Sequence, residues 1–135
     1  MSPRPKYPHM MPLEVPIWDR FLASTDIQFT RLIYDVHVGE GAPIPEYASP
    51  AEVTQIQAIT RKRIDVVGWS QGSVWLFEVK SRAGQAAAGQ LLNYKRLFRR
   101  EYRPLAPIRL AVVCERLEWD VEDYYRELGI TVFIV

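Results

Sequence analysis

Residues 63–80 read RIDVVGWSQGSVWLFEVK, and the fold turns on how this stretch is paired. Two strand-like runs, RKRIDVVGW and SVWLFEVK, flank the turn residues SQG. With Gln71-Gly72 as a two-residue hairpin loop, opposed residues follow directly: Ser70 meets Ser73, Asp65 meets Glu78 and Arg63 meets Lys80. Side chains alternate along a strand, which places Arg63, Asp65, Val67, Leu76, Glu78 and Lys80 on one face. Ile64, Val66, Trp75, Phe77 and Val79 take the other face, which is wholly apolar and is expected to be core.

Charged groups in strands are costly without partners, and two carboxylates directly opposed repel. A divalent cation or a shared proton relieves that repulsion. Mg²⁺ and Mn²⁺ accept carboxylate oxygens together with water, and Lys80, on the same face, suits a water or a substrate phosphate next to such an ion. Carboxylates for the ion, an ion for the nucleophile and a cation for the phosphate are what phosphodiester hydrolysis requires. A plainer arrangement is equally open at this point: a solvated ladder in which Asp65 and Glu78 pair with Arg63 and Lys80.

Around the hairpin the chain alternates helix and strand signals. PIWDRFLAS, with Pro16 at a first helical position, predicts a short helix, and FTRLIYDVHV predicts a strand with Leu32, Tyr34, Val36 and Val38 on one face. Ser49-Pro50 and Glu52 form a capping-box pattern ahead of Val53, Ile56 and Ile59. After the hairpin, GQAAAGQLLNYKRLFRREY predicts a long helix with Ala87, Leu91, Tyr94 and Phe98 as its buried stripe. IRLAVVC reads as a strand covered on both faces, with Cys114 as a buried structural thiol. A last helix starting near Asp120 and Asp123 and stopping at Gly129, then the strand ITVFIV, complete a mixed α/β layer. Residues 1–12 are expected to form an extended proline-rich arm and 13–135 a single domain.

Composition narrows the function classes. Apolar residues make up 48% of the 135 and charged residues 24%, which suits a globular chain. No apolar run reaches the roughly 20 residues that span a bilayer, and MSPRPKYPHMMP carries no apolar export signal, so a cytoplasmic protein is expected, or a virion component if phage-encoded. One cysteine excludes an internal disulfide framework. His9 and His37 lack ligand-spaced companions, which argues against zinc, and no glycine-rich nucleotide loop or acyl-transfer constellation is present. The net charge is only +1, but residues 61–103 hold ten Lys/Arg against three Asp/Glu, so the remainder is acidic. A basic middle suits contact with a polyanion.

The stretch IDVV…WLFEVK resembles the core of the PD-(D/E)XK nuclease superfamily, and the agreement extends over about Thr60 to Phe98. The family pattern is an Asp on one central strand, Glu-X-Lys on the next, and a helix behind. The resemblance implies a restriction-endonuclease-like three-layer core with a central mixed β-sheet flanked by helices. It implies Asp65 and Glu78 as ligands of Mg²⁺ (or Mn²⁺), Lys80 as the catalytic lysine and Gln90, in GQLLNYKRLF, as a further catalytic residue. The family's leading proline is replaced by Ile64. The pattern is similar to the resolvase-like and virus-type replication-repair branches. Several members add an acid from the first helix; Glu14 and Asp19 are both available, and Glu14 is favoured as a third metal ligand.

The expected activity is hydrolysis of DNA phosphodiester bonds by an endo- or exodeoxyribonuclease, with Arg61, Lys62, Arg63, Arg82 and Tyr94 as nucleic-acid contacts. Two other readings stay open. One is a structural or DNA-handling subunit of a larger assembly, such as a phage head, neck or tail, or a homo-oligomer joined through the arm. The other is a non-catalytic DNA-binding module.

Overall fold

Gln71 and Gly72 both adopt positive φ, 48° and 76°, the geometry a two-residue hairpin loop demands. The turn joins β2 (Lys62–Ser70) to β3 (Ser73–Ala83) in a computed structural model that describes residues 7–135. Ser70 pairs with Ser73 and Val66 with Phe77, so the register follows the turn chemistry. The elements run α1 (Val15–Ser24), β1 (Arg31–Val38), α2 (Pro50–Thr60), β2, β3, α3 (Gln85–Tyr102), β4 (Ile108–Leu117), α4 (Glu122–Glu127) and β5 (Ile130–Ile134). This is the order expected from the sequence.

One five-stranded mixed sheet results, in the order β1-β2-β3-β4-β5. The pairs β1/β2 and β2/β3 are antiparallel; β3/β4 and β4/β5 are parallel. The parallel pairs need crossovers, and α3 and α4 supply them. β4 is covered on both faces: Leu110, Val112 and Cys114 pack with α3 and α4, whereas Ala111 and Val113 pack with α1. The α1 face is aromatic. Trp18 and Phe21 lie 5.1 and 5.4 Å from the Phe77 ring, and Trp75 stacks on Phe77 at 5.7 Å. Each such fully buried side chain contributes roughly 1.5–3 kcal/mol through burial. On the other face α3 inserts Ala87, Ala88, Leu91, Tyr94 and Phe98, the expected stripe with one alanine added.

Three expectations are corrected. Leu32 and Tyr34 of β1 pack on the α1 side, but Val36 and Val38 pack on the α3 side, so the strand does not keep one face throughout. In β2 the same slip separates Ile64, which joins the α3 cluster, from Val66, which joins the aromatic one. Both slips fall at one level, where Asp35 takes a left-handed φ of 57° between the pairs Tyr34↔Val66 and Val36↔Ile64. Helix α2 forms as expected, with its capping box of Ser49 and Glu52, and buries none of its residues. Finally, residues 7–12 are not an extended arm: Met10 N–H bonds the Tyr7 carbonyl, and Tyr7 and Met10 are buried on the chain's own aromatic face. Tyr7 stacks on Tyr34 at 4.7 Å and donates to Asp19 at 2.5 Å. The rest of the arm, residues 1–6, lies outside the described residues. Among the described residues no helix is long and apolar enough to cross a membrane.

Candidate active site

Beyond Val66↔Phe77 the β2–β3 ladder ends, although both strands continue. The next residues on each strand are Asp65 and Glu78. Instead of meeting a backbone carbonyl, the Val79 N–H donates to Asp65 Oδ2 at 2.8 Å. The carboxylate thereby occupies the gap between the strands. Asp65 is only 6% exposed and Glu78 3%, so two acids share an almost water-free position.

Burial, followed by the Asp65 carboxyl, pushes Glu78 up to about 10, while Lys80 and the Tyr94 hydroxyl pull it down. Desolvation and a like charge both disfavour the ionised acid. Glu78 Oε2 is buried and has no hydrogen-bond partner among the described residues. An orphaned acceptor of this kind costs about 1–3 kcal/mol unless something outside the chain satisfies it. Lys80 is half-buried at the edge of the pair, opposite Cys114 in the β3–β4 register.

Glu14, the residue preceding α1, belongs to the same electrostatic neighbourhood. Burial is the first cause that raises its pKa; the Met11 N–H, at 3.2 Å from Oε2, opposes that, the Asp65 charge raises it further and the Lys80 charge lowers it. Asp19 instead accepts from Tyr7. Among the described residues no three His, Cys, Asp or Glu side chains meet in ligating geometry. Glu14, committed to Met11, stands near the acid pair rather than in it.

The remaining site residues separate into two groups. Gln90 is exposed on α3, and Tyr94, one turn on, is buried at 6% exposure beneath Glu78, whose charge pushes the phenol pKa up after burial has done so. Lys62 and Arg82 are exposed, Arg82 lying 4.0 Å from Glu118. Arg61 and Arg63 are engaged within the chain. Arg61 donates to the Gly39 carbonyl at 2.6 Å, to the His37 carbonyl at 3.2 Å and to Glu101. Arg63 makes a two-pronged pair with Asp35 at 2.7 and 2.6 Å, which holds the Asp35 carboxyl below its usual range. The Lys80 partner expected for Arg63 is therefore replaced by a residue of the opposite neighbouring strand. Asp35 is a residue that hydrophobic alternation does not single out; its signal in the sequence is an acid between Tyr34 and Val36, as Asp65 lies between Ile64 and Val66.

The donor set suits a small divalent ion. Two close carboxylates, one with an unsatisfied buried oxygen, leave the other positions to water, and Mg²⁺ keeps several waters.

No protein-family model and no curated protein matches the chain. Solved structures do. A repair endonuclease from Pyrococcus abyssi superposes with a TM-score of 0.58 at 17% identity, over 98% of this chain and 49% of its own. The structure of an EndoMS–dsDNA complex gives 0.54 at 17% identity over 98% and 49%, and AF1548, a protein of unknown function, gives 0.51 at 12% over 86% and 53%. The chain spans about half the length of these structures. The mixed sheet with flanking helices is thus an α/β fold shared with repair endonucleases.

Proposed function

We propose that the chain is a metal-dependent nuclease domain of the PD-(D/E)XK type acting on DNA phosphodiester bonds. The observation that carries this reading is the buried Asp65–Glu78 pair beside Lys80, with one Glu78 oxygen unsatisfied, on a fold shared with repair endonucleases. Asp65 and Glu78 would hold Mg²⁺ or Mn²⁺, which when bound supplies the Lewis acidity for hydrolysis. The Val79 N–H fixes Asp65, so the ligand is oriented before any ion arrives. The Lys80 ammonium offsets the negative charge that builds on the phosphate. Gln90, exposed on α3 one turn before Tyr94, orients the attacking water or the scissile phosphate. Tyr94 steadies Glu78 from below instead of touching nucleic acid. Glu14 would offer the ion a further carboxylate once it no longer accepts from the Met11 N–H.

The experiment is cleavage of plasmid and of labelled duplex, branched and single-stranded oligonucleotides with Mg²⁺ or Mn²⁺, set against Asp65→Ala. Absence of cleavage on all substrates by the wild-type protein refutes the reading. A structural role through the N-terminal arm draws no support from Tyr7 and Met10, which are buried on the chain's own core.

A further inference from the structure

Helix α3 leaves the acid pair at Tyr94 and continues toward the turn that follows β1. Between them runs an open groove in two compartments, of about 200 and about 420 Å³. Lys62, Asn93 and Arg96 line the first compartment, and Arg100 lines the second, with Gly39, Glu40 and Leu97 common to both. Three cations therefore face one channel. Of the two acids along it, Glu101 is already bonded to Arg61 and to the Gly39 N–H, which leaves Glu40, exposed on the turn, as the lone counter-charge. Arg96 donates to Asn93 at 3.0 Å, an exposed contact that leaves the guanidinium's other donors for a ligand.

A second observation points the same way. Gly89 lies inside α3, yet a Cβ there would meet nothing within 4 Å. Glycine in a helix interior is unfavourable relative to alanine, and nothing among the described residues requires it at that position. Residues 89, 93, 96 and 100 follow helical spacing, so Gly89 extends the Asn93–Arg96–Arg100 ridge toward the N-terminus of α3, across the level of Tyr94. A backbone passing close to the helix is what such a glycine admits.

We infer that this groove is a phosphate track: the sugar-phosphate backbone of the substrate crosses Gly89 on one side of the level of the Asp65–Glu78 site and runs along Lys62, Asn93, Arg96 and Arg100 on the other. The inference rests on the nuclease reading for the identity of the polymer. From Gly89 to Arg100 the helix rises about 16 Å, room for several successive phosphates.

The test is binding without metal, so that it does not depend on cleavage. Fluorescence anisotropy of a labelled 20-mer, single-stranded or duplex, is followed against NaCl in EDTA for the wild type and for Arg96→Gln/Arg100→Gln. Removing two phosphate contacts lowers the slope of log affinity against log salt by about 1.4 on a single strand or about 1.8 on a duplex, which also tells which form occupies the track. Arg126→Gln, on α4, leaves the slope unchanged, and Gly89→Gln keeps the melting temperature while weakening binding at least tenfold. A wild-type slope in the double variant, wild-type affinity in Gly89→Gln, or no salt-sensitive binding by the wild type overturns the proposal. Failure of the nuclease reading shows separately, as wild-type protein that binds with the expected slopes yet cleaves nothing with Mn²⁺.

Discussion

Replacing Glu78 by Gln separates a working metal site from a buried acid that merely persists in the fold. In the folded protein Glu78 binds its proton far more tightly than an unfolded carboxylate does, because it is 3% exposed and faces Asp65. A raised folded-state value contributes stability that is complete below the unfolded pKa and lost as pH climbs through the folded one. Without metal the wild type should therefore lose up to about 1.4 kcal/mol per pH unit through this group, or at most ~2.7 kcal/mol from pH 6 to 8. For a domain of this size that is roughly 10 °C in Tm. The amide of Glu78→Gln carries no proton to lose, so its melting temperature should stay flat over the same interval apart from changes common to both proteins. Saturating Mn²⁺ at pH 8 should restore the wild type and leave the variant unmoved, because ion and proton compete for the same carboxylate. Thermal unfolding of both proteins at pH 6, 7 and 8, with EDTA or Mn²⁺, covers all six conditions. Parallel pH slopes in the two proteins, or an equal Mn²⁺ shift in both, would refute the reasoning.

Asp65→Ala should lose cleavage and also about 1–3 kcal/mol of stability, since the buried Val79 N–H loses its acceptor; Asp65→Asn, which keeps an acceptor, should lose cleavage at little cost in Tm. Lys80→Ala should lower kcat about 10²- to 10³-fold while leaving Mn²⁺ affinity by calorimetry near wild type; equal losses in both would make Lys80 a structural partner of the acids. Gly68→Ala should destabilise by about 1–3 kcal/mol in urea melts, because the new Cβ would lie 2.8 Å from the Phe29 ring.

Local chemistry carried most of the fold into the sequence. Gln71-Gly72 specifies a turn whose loop length sets the register as far as Val66↔Phe77, and Asp65 and Glu78 are the next residues on the two strands. The buried stripe of α3 and the doubly covered β4 are equally direct consequences of 3.6-residue and continuous apolar patterns. What period-2 reasoning missed is the slip at Asp35, because a left-handed residue inside a strand leaves no mark in hydrophobic alternation. For the same reason alternation puts Ile64 on the α1 side, whereas it packs in the α3-side cluster. The partners of Arg61 and Arg63 were illegible as well: Glu101 is 40 positions away from Arg61, and Asp35 is 28 from Arg63. Helix α2 shows the converse. Its capping box and apolar residues announce a helix correctly, but whether a helix buries its apolar side depends on what lies across from it, which no local pattern records.

The way the two strands part links fold to chemistry. An antiparallel ladder that continued past Val66↔Phe77 would fill the space between Asp65 and Glu78 with main-chain hydrogen bonds. Here a side chain takes over that duty: Asp65 accepts the Val79 N–H, and that donor needs no ladder carbonyl. The parted strand still needs an anchor, which the Arg63–Asp35 pair provides on the β1 side, at the same level as the left-handed turn of the chain. If Arg63 bridged to Glu78, the Glu78 oxygen would be satisfied and its pKa would fall. With Arg63 engaged by Asp35, the acid pair keeps an unmet need for positive charge that Lys80, half-buried at its edge, only partly answers. Arg63→Met should therefore loosen the β1–β2 edge, seen as faster amide exchange at Ile64 and Val36, while leaving Glu78 protonated at neutral pH. A drop of the Glu78 pKa toward the ordinary carboxylate range in that variant, followed by carboxyl-carbon NMR titration, would show that strand parting depends on this anchor and that water enters the site when it is cut.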